Sequence, residues 1–336
     1  MAIRVGINGF GRIGRSVFRI AQQPDMRQAI EVVAVNDLFD NAQLAYLLRY
    51  DSVMGVLDAD IRFDDDSITV DGRRVAMTAE RSPAAIPWRD FGVDVVVEST
   101  GVFLTRAALE GHLAAGAGKV LLTVPAKDEI DAMIVLGAND EALRSEHRLV
   151  SNASCTTNCL APVARVLDES FGIEAGVMTT IHAYTNDQRL LDAPHKDLRR
   201  ARAAPSNIIP TTTGAARSVG KVLPRLKGKL DGLALRVPVP TGSLVDFVVR
   251  LRERPSALEV NAALRAAAEG TLSSILQYCE APLVSSDIVG NPRSAILDPL
   301  STEAQGDGFA RVVAWYDNEW GYSNRVVDLI RRMAGS

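Results

Sequence analysis

The chain has 336 residues, enough for two domains of ordinary size at about 150 residues each. Hydrophobic residues make up 47% and charged residues 23%, so the chain can bury a sizeable core and a disordered reading is excluded. Its 37 basic and 41 acidic side chains give a net charge of −4, with no global basic excess to neutralise phosphates; a dedicated nucleic-acid binder is excluded.

Ile3–Ile7 reads as a first strand. It begins at once, so no signal peptide is expected. Gly9-Phe10-Gly11-Arg12-Ile13-Gly14 follows directly and opens a helical pattern over Arg15–Gln23. In such a turn the first glycine permits the tight bend. The second lets a pyrophosphate approach the backbone, and the third lets helix and strand pack closely. The helix N-terminus offers N–H groups and a positive dipole end to phosphates. The next strand, Glu31–Asn36, ends at Asp37, 23 residues past Gly14 and near the spacing of a carboxylate that holds ribose hydroxyls. The same carboxylate repels a 2′-phosphate, which favours NAD over NADP. Ser67–Val70 and Arg73–Met77 flank Asp71-Gly72, a two-residue hairpin signal, read as an antiparallel excursion. The strands Val93–Glu98 and Lys119–Val124 are almost wholly apolar, with a helix at Thr105–Ala115 between them. Alternating strands and helices predict a doubly wound parallel α/β sheet.

After about residue 151 the texture changes. Strands are longer and come in succession: Val177–Tyr184, Leu230–Val239, Leu244–Leu251 and Arg311–Tyr316. This predicts an α+β domain whose mixed or antiparallel sheet carries helices on one face. Ser256 and Glu259 form a capping-box pattern, with Gly270 as the stop. A last helix is expected over Ser323–Met333. The segment from Lys196 to Lys229 holds nine basic residues and one acid, Asp197. A solvated or subunit-contact face and an attractor of anionic substrate account for it equally well.

Three cysteines, Cys155, Cys159 and Cys279, cannot make a disulfide framework and fit a reducing compartment, so the cytoplasm is expected. No apolar run is long enough to span a membrane. Arg148–Val150 reads as a strand before Ser154-Cys155-Thr156-Thr157-Asn158-Cys159, and Leu160–Leu167 reads as a helix. Cys155 at a helix N-terminus predicts a thiolate of lowered pKa. Pro162 predicts a kink or a late helix start. Cys159 reads as a small core residue, and no further ligands at suitable spacing point to zinc, so no metal is expected. The chain has four histidines. His182 lies in a strand pattern, where spacing alone favours a satisfied core imidazole. Thr211-Thr212-Thr213-Gly214 reads, by itself, as a polar turn before a helix.

Four segments together carry a resemblance: Ile7–Arg15, Ser151–Cys159, His182-Ala183-Tyr184-Thr185 and Trp315–Arg325. Over essentially its whole length the chain resembles the phosphorylating glyceraldehyde-3-phosphate dehydrogenases of the common bacterial and eukaryotic type. The resemblance implies an NAD-binding domain over residues 1–151, a catalytic domain over 152–318 and a C-terminal helix, 319–336, that returns to the first. It implies oxidation of glyceraldehyde 3-phosphate with NAD and inorganic phosphate. Cys155 would be the nucleophile and His182 its base, through a thiohemiacetal and a thioester. Thr185 and Arg236 would hold the substrate phosphate, with Asp187 nearby. Ser154, Thr156, Thr213 and Gly214 would hold the attacking phosphate. Gly9, Gly11, Arg12, Ile13, Gly14, Asp37, Arg81, Thr100, Gly101, Phe103, Thr123, Asn318 and Tyr322 would form the cofactor side, with Asn318 on the nicotinamide carboxamide. The loop of about Ala183–Arg202 would cross an interface of a homotetramer toward a neighbour's NAD. The role would be glycolytic or gluconeogenic.

The chain departs from the pattern in places. It has Thr123-Val124-Pro125-Ala126-Lys127 where Ser-Ala-Pro-Ala-Lys is common, and the hydroxyl survives. It has Ala193-Pro194 where strict NAD users often have Leu-Pro; Asp37-Leu38 and Pro194 keep NAD the expected choice. A paralogous erythrose-4-phosphate dehydrogenase would tend to lose the run Tyr184-Thr185-Asn186-Asp187, the pair Thr213-Gly214 and Asp37, all present here. A non-catalytic NAD-binding scaffold would be expected to lose Cys155, His182 or Arg236. A cysteine hydrolase would have no use for the dinucleotide fingerprint.

Overall fold

The computed structural model describes residues 1–335. The chain divides into two compact units. One comprises Met1–Ile134, Glu141–Ala153 and the residues from Ser323 on; the other comprises Val135–Asp140 and Ser154–Tyr322.

The first unit is built on a nine-stranded sheet. Its strands are β1 (Ile3–Asn8), β2 (Ile30–Asn36), β3 (Ile61–Phe63), β4 (Ser67–Val70), β5 (Arg73–Thr78), β6 (Val95–Glu98), β7 (Lys119–Leu122), β8 (Ala132–Met133) and β9 (Leu149–Ser151). Their order is β8-β9-β7-β6-β1-β2-β5-β4-β3. β1 pairs in parallel with both β2 and β6, so strand order reverses at β1, where ligands of open α/β sheets bind. β6 is wholly buried, as its run of valines requires. The hairpin forms where expected, with Asp71 at φ 47° and Gly72 at φ 78°. The antiparallel excursion forms at the edge of the parallel core: β5 pairs in parallel with β2, and β4 and β3 extend that edge antiparallel. The alternation of Val75 and Met77 suits a strand inside the sheet, and the sequence pattern did not show its partner.

Helix α1 (Arg12–Ala21) begins at Gly11 with no side-chain cap and no acid in its first turn. Helix α2 (Asn41–Arg49) is capped by Asp40, and α3 (Arg106–Ala114) by Thr105. The guanidinium of Arg19, on α1, donates to the carbonyls of Leu48, Arg49 and Gly55, which ties α1 to the C-terminal end of α2. Asp51 closes this corner. It pairs with Arg12 and accepts the N–H groups of Val53 and Met54, each at 2.9 Å. Burial alone would raise the Asp51 pKa; the Met54 N–H, Arg12 and the Val53 N–H outweigh it and hold the carboxyl below its usual range. Asp51→Asn is therefore expected to cost about 1–3 kcal/mol at neutral pH. A depressed folded pKa gives stability that is present above about pH 4 and lost as pH falls through the folded value. Denaturant midpoints should differ between wild type and variant at pH 7 and converge in acid.

The second unit has a seven-stranded sheet of β10 (Ile173–Ala183), β11 (Ile209–Thr212), β12 (Leu230–Val237), β13 (Ser243–Leu251), β14 (Leu276–Tyr278), β15 (Ala295–Ala304) and β16 (Phe309–Tyr316). The order is β11-β12-β10-β13-β16-β15-β14, mixed in direction. Thr211 and Thr212 end the edge strand β11 instead of lying in a turn. Helices α4 (Cys155–Phe171), α5 (Ala215–Val222) and α6 (Ala257–Glu269) pack on the sheet. The Ser256–Glu259 capping box forms as read. The last helix, α7 (Trp320–Gly335), starts three residues early, because Asp317 accepts the N–H groups of Glu319 and Trp320 at 2.8 Å and closes its first turn.

Candidate active site

Helix α4 starts at Cys155, not late. Ser154 is the N-cap, its Oγ accepting the Thr157 N–H at 3.1 Å. Pro162 lies inside the helix and removes one backbone bond. The buried run from Thr156 to Ala164 holds the helix through it. Seventeen residues rise about 25 Å. At Gly172, with φ 70°, the chain turns into β10. About ten residues of extended chain return roughly the same distance and bring His182 back beside Cys155. Sγ lies 3.4 Å from His182 Nε2. Sequence spacing alone favours a satisfied core imidazole, with nothing to place it near Cys155; the ring is buried and hydrogen-bonded, and the helix-and-return geometry also sets it beside the sulfur.

β10 and β12 run in parallel with His182 opposite Arg236. Arg236 Nη1 lies 2.9 Å from His182 Nδ1 and donates at 3.1 Å to both the Ala183 carbonyl and Thr185 Oγ1. The Ala183 carbonyl, 2.7 Å from Nδ1, takes the ring hydrogen, which leaves the Nε2 lone pair facing sulfur. Burial and then the Arg236 charge lower the His182 pKa to about 3. Cys155 departs from expectation. Burial pushes its thiol up, and Arg236 and the Thr156 and Cys155 N–H groups pull it only partly back. A helix end alone does not lower the thiol pKa here, because burial opposes it. Cys159 is fully buried one turn on, as expected of a core residue.

Thr185 donates its hydroxyl to Asp187, and Asp187 pairs with Arg200. Arg200 also donates to Thr211 Oγ1 at 3.0 Å. Part of the basic segment thus folds over the cluster, while Arg202 and Arg225 pair with Asp192 and Asp168 at the surface. The buried Arg236 Nε has no hydrogen-bond partner within the protein and is free to receive one from a ligand. Thr156 Oγ1 meets the Tyr316 hydroxyl at 2.9 Å, and Ser154 Oγ meets Thr157 Oγ1 at 2.8 Å. Thr213 Oγ1 accepts the Ala215 N–H, and Gly214 opens α5 without a side-chain cap. Among the described residues no hydrogen bond links Ser154 or Thr156 to Thr213 or Gly214.

Sequence reasoning gives no role to Tyr316 or Thr180 and reads Arg200 only as part of the basic segment. The buried Tyr316 hydroxyl bonds Thr156 Oγ1 at 2.9 Å and Thr180 Oγ1 at 2.8 Å. Its ring meets His182 edge-on with centroids 5.9 Å apart. Tyr316 lies within a quoted motif, but nothing local signals its partners. Asn318 is buried, its carbonyl oxygen accepting from Ser243 Oγ at 2.8 Å and Thr241 Oγ1 at 3.3 Å. Those bonds orient its NH2 as the donor end. Tyr322 is buried too.

The glycine loop after β1 fits a dinucleotide. Gly9 has φ 91°, and a Cβ there would meet the Thr100 backbone nitrogen at 2.8 Å. At Gly14 a Cβ would lie 2.2 Å from the Gly9 carbonyl oxygen, yet at Gly11 it would face open space. An uncapped helix end behind an open glycine is what a pyrophosphate requires. Asp37 accepts the Phe10 N–H at 2.7 Å and the Phe39 N–H at 3.2 Å, which holds its carboxylate beside that loop. Arg12 is turned to Asp51, with Ile13 half-buried behind it. Gly101 and Arg81 are exposed, and Phe103 is half-buried. Thr123 spends its hydroxyl on the Glu98 carbonyl at 3.0 Å.

Family models match both parts of the chain. Residues 3–106 match "Glyceraldehyde 3-phosphate dehydrogenase, NAD binding domain" and residues 154–318 match the C-terminal domain of the same family. The chain belongs to the glyceraldehyde-3-phosphate dehydrogenase family. It is 58% identical over 334 residues to glyceraldehyde-3-phosphate dehydrogenase of Mycobacterium tuberculosis strain H37Rv, covering 98% of each chain. It is 58% identical over 332 residues to glyceraldehyde-3-phosphate dehydrogenase 2 of Streptomyces avermitilis, and 56% over 335 to the Mycolicibacterium smegmatis protein, again with 98% of each chain covered. The cofactor of this dehydrogenase family is NAD, as its domain description and the glycine loop agree.

Proposed function

We propose that the chain oxidises D-glyceraldehyde 3-phosphate to 1,3-bisphosphoglycerate with NAD and inorganic phosphate, as a step of glycolysis or gluconeogenesis. The observation that carries this reading is the trio of Cys155, His182 and Arg236, with sulfur 3.4 Å from Nε2 and the guanidinium 2.9 Å from Nδ1.

Cys155 Sγ attacks the aldehyde carbon as its proton passes to His182 Nε2, and the imidazolium returns that proton to the new alkoxide. The product is a thiohemiacetal on Cys155. His182 then takes the hydroxyl proton as the carbon becomes a thioester. NAD, when bound, accepts the hydride that this carbon loses. Inorganic phosphate attacks the thioester carbonyl, and the Cys155 sulfur leaves and regains a proton. Arg236 and Thr185 hold the substrate phosphate, with Asp187 nearby. Ser154, Thr156, Thr213 and Gly214 serve the attacking phosphate. Arg12, Ile13, Asp37, Arg81, Thr100, Gly101, Phe103, Thr123 and Tyr322 serve the cofactor, with Asn318 on its carboxamide. In this reading residues 1–151 with 319–336 are the NAD-binding domain and 152–318 the catalytic domain.

The same reading includes a homotetramer. Leu190, Leu191, Leu198 and Ile208 are 67–82% exposed, more apolar surface than one segment of a monomer is expected to present. Light scattering should return four times the 36.2 kDa chain mass. No helix of the described residues is long and apolar enough to cross a membrane. Three free cysteines support the cytoplasm as its location.

Absorbance at 340 nm tests the reaction. Sustained NADH formation from glyceraldehyde 3-phosphate that requires inorganic phosphate is expected, with NAD strongly preferred to NADP. Oxidation of erythrose 4-phosphate in its place would assign the chain to the paralogue.

A further inference from the structure

The parallel strands of the first unit end in buried polar side chains, and these join into one hydrogen-bonded chain. Trp88, His112 and Glu98 have no exposed surface; Asn8 is 1% and Asn36 4% exposed. Its polarity is set at one end. The Trp88 indole can only donate, and it donates to His112 Nδ1 at 3.0 Å. The ring hydrogen therefore sits on Nε2, 3.0 Å from Glu98 Oε2. Asn8 Nδ2 donates to the same oxygen at 2.6 Å. Asn8 Oδ1 accepts from Asn36 Nδ2 at 2.9 Å, and Asn36 Oδ1 accepts from Thr78 Oγ1 and the Glu80 N–H, each at 2.8 Å. The other Glu98 oxygen takes the Thr100 N–H at 2.9 Å and the Thr100 hydroxyl. Thr100 Oγ1 in turn accepts the Val102 N–H at 3.1 Å.

We propose that Glu98 is a positioning residue for the NAD site. It touches no ligand. It acts by pinning Thr100 against Gly9, at the narrow point where no Cβ fits, and so fixes the crevice between the turns that follow β1 and β6. A carboxylate is needed because all four groups facing it donate; His112 and Asn8 cannot reverse without leaving Trp88 or Asn36 opposed, and the Thr100 N–H can only donate. Glutamine would turn an NH2 on two donors or release Thr100. The inference rests on the glycine loop being the NAD site.

The test is NAD affinity by equilibrium titration, with steady-state kinetics alongside. Wild type must bind NAD, or the reading of the site fails before the inference is reached. Glu98→Gln is expected to weaken NAD binding about tenfold and to raise KM for NAD, while KM for the aldehyde and for phosphate stays within about twofold. Thr100→Val, on the half-exposed loop, is expected to weaken NAD about threefold, and the double variant to be no worse than Glu98→Gln alone. Leu109→Ala, in the core of α3 outside the chain of bonds, should lower Tm but leave NAD affinity within about twofold. The proposal is overturned if Glu98→Gln binds NAD within twofold of wild type, or if Leu109→Ala weakens NAD equally. Should Glu98→Gln not fold, unchanged affinity in Thr100→Val overturns it.

Discussion

Cys155→Ser is expected to lower turnover by about four orders of magnitude or more while NAD affinity stays within about twofold of wild type. The two halves of this expectation come from separate parts of the structure. The glycine loop, its uncapped helix and Asp37 belong to the first unit, and Cys155 belongs to the second. A serine hydroxyl keeps the size of the group, and the His182 nitrogen remains in place. What it loses is the sulfur: a hydroxyl is far harder to ionise, and an ordinary ester conserves less of the oxidation energy than a thioester. NADH formation at 340 nm and an NAD titration on the same preparation read both halves. Turnover near wild type would remove Cys155 from the mechanism.

Arg236→Gln carries the second large effect. The guanidinium contacts the Ala183 carbonyl, Thr185 and the His182 ring, and keeps a buried Nε without a partner. Loss of its charge-assisted bonds should raise KM for glyceraldehyde 3-phosphate about a hundredfold. Unphosphorylated glyceraldehyde, which brings no anion, should distinguish the two enzymes far less. A pH signature accompanies this. His182 is lowered to about 3 by burial and then by the Arg236 charge. A protonated imidazole cannot accept the thiol proton, so the rate falls as pH drops through the His182 pKa. In wild type that fall lies near pH 3. Without Arg236 the pKa rises toward its ordinary value near 6.5, and an acid limb should enter the profile above pH 3. Equal losses with both aldehydes and an unmoved acid limb would show that Arg236 serves neither purpose.

The features that were legible in the sequence are local ones. The glycine turn, the Asp71-Gly72 hairpin and the Ser256–Glu259 capping box are each set by a few neighbouring residues, whose backbone demands show in their identities. The doubly wound and mixed sheets were legible for a related reason, since strand and helix periods appear directly in the apolar pattern. The partnership of Cys155 and His182 was not. It depends on a helix and a strand of matched length, 27 residues of chain in all. Arg236 was harder still, because only the parallel register of β10 and β12 sets it opposite His182. Resemblance supplied those residues; spacing did not. The helix end that favours a thiolate is visible in the sequence, whereas the desolvation that pushes the thiol up depends on tertiary packing.

One wall of this site is built from three hydroxyl groups. Burial pushes the Tyr316 phenol well above the ordinary range, so it keeps its proton near neutral pH. Thr156, Thr180 and Tyr316 therefore meet as neutral groups beside His182. Charge on the Cys155 sulfur is answered by Arg236 and by the Thr156 and Cys155 N–H groups. These donors are set by the fold before any substrate arrives.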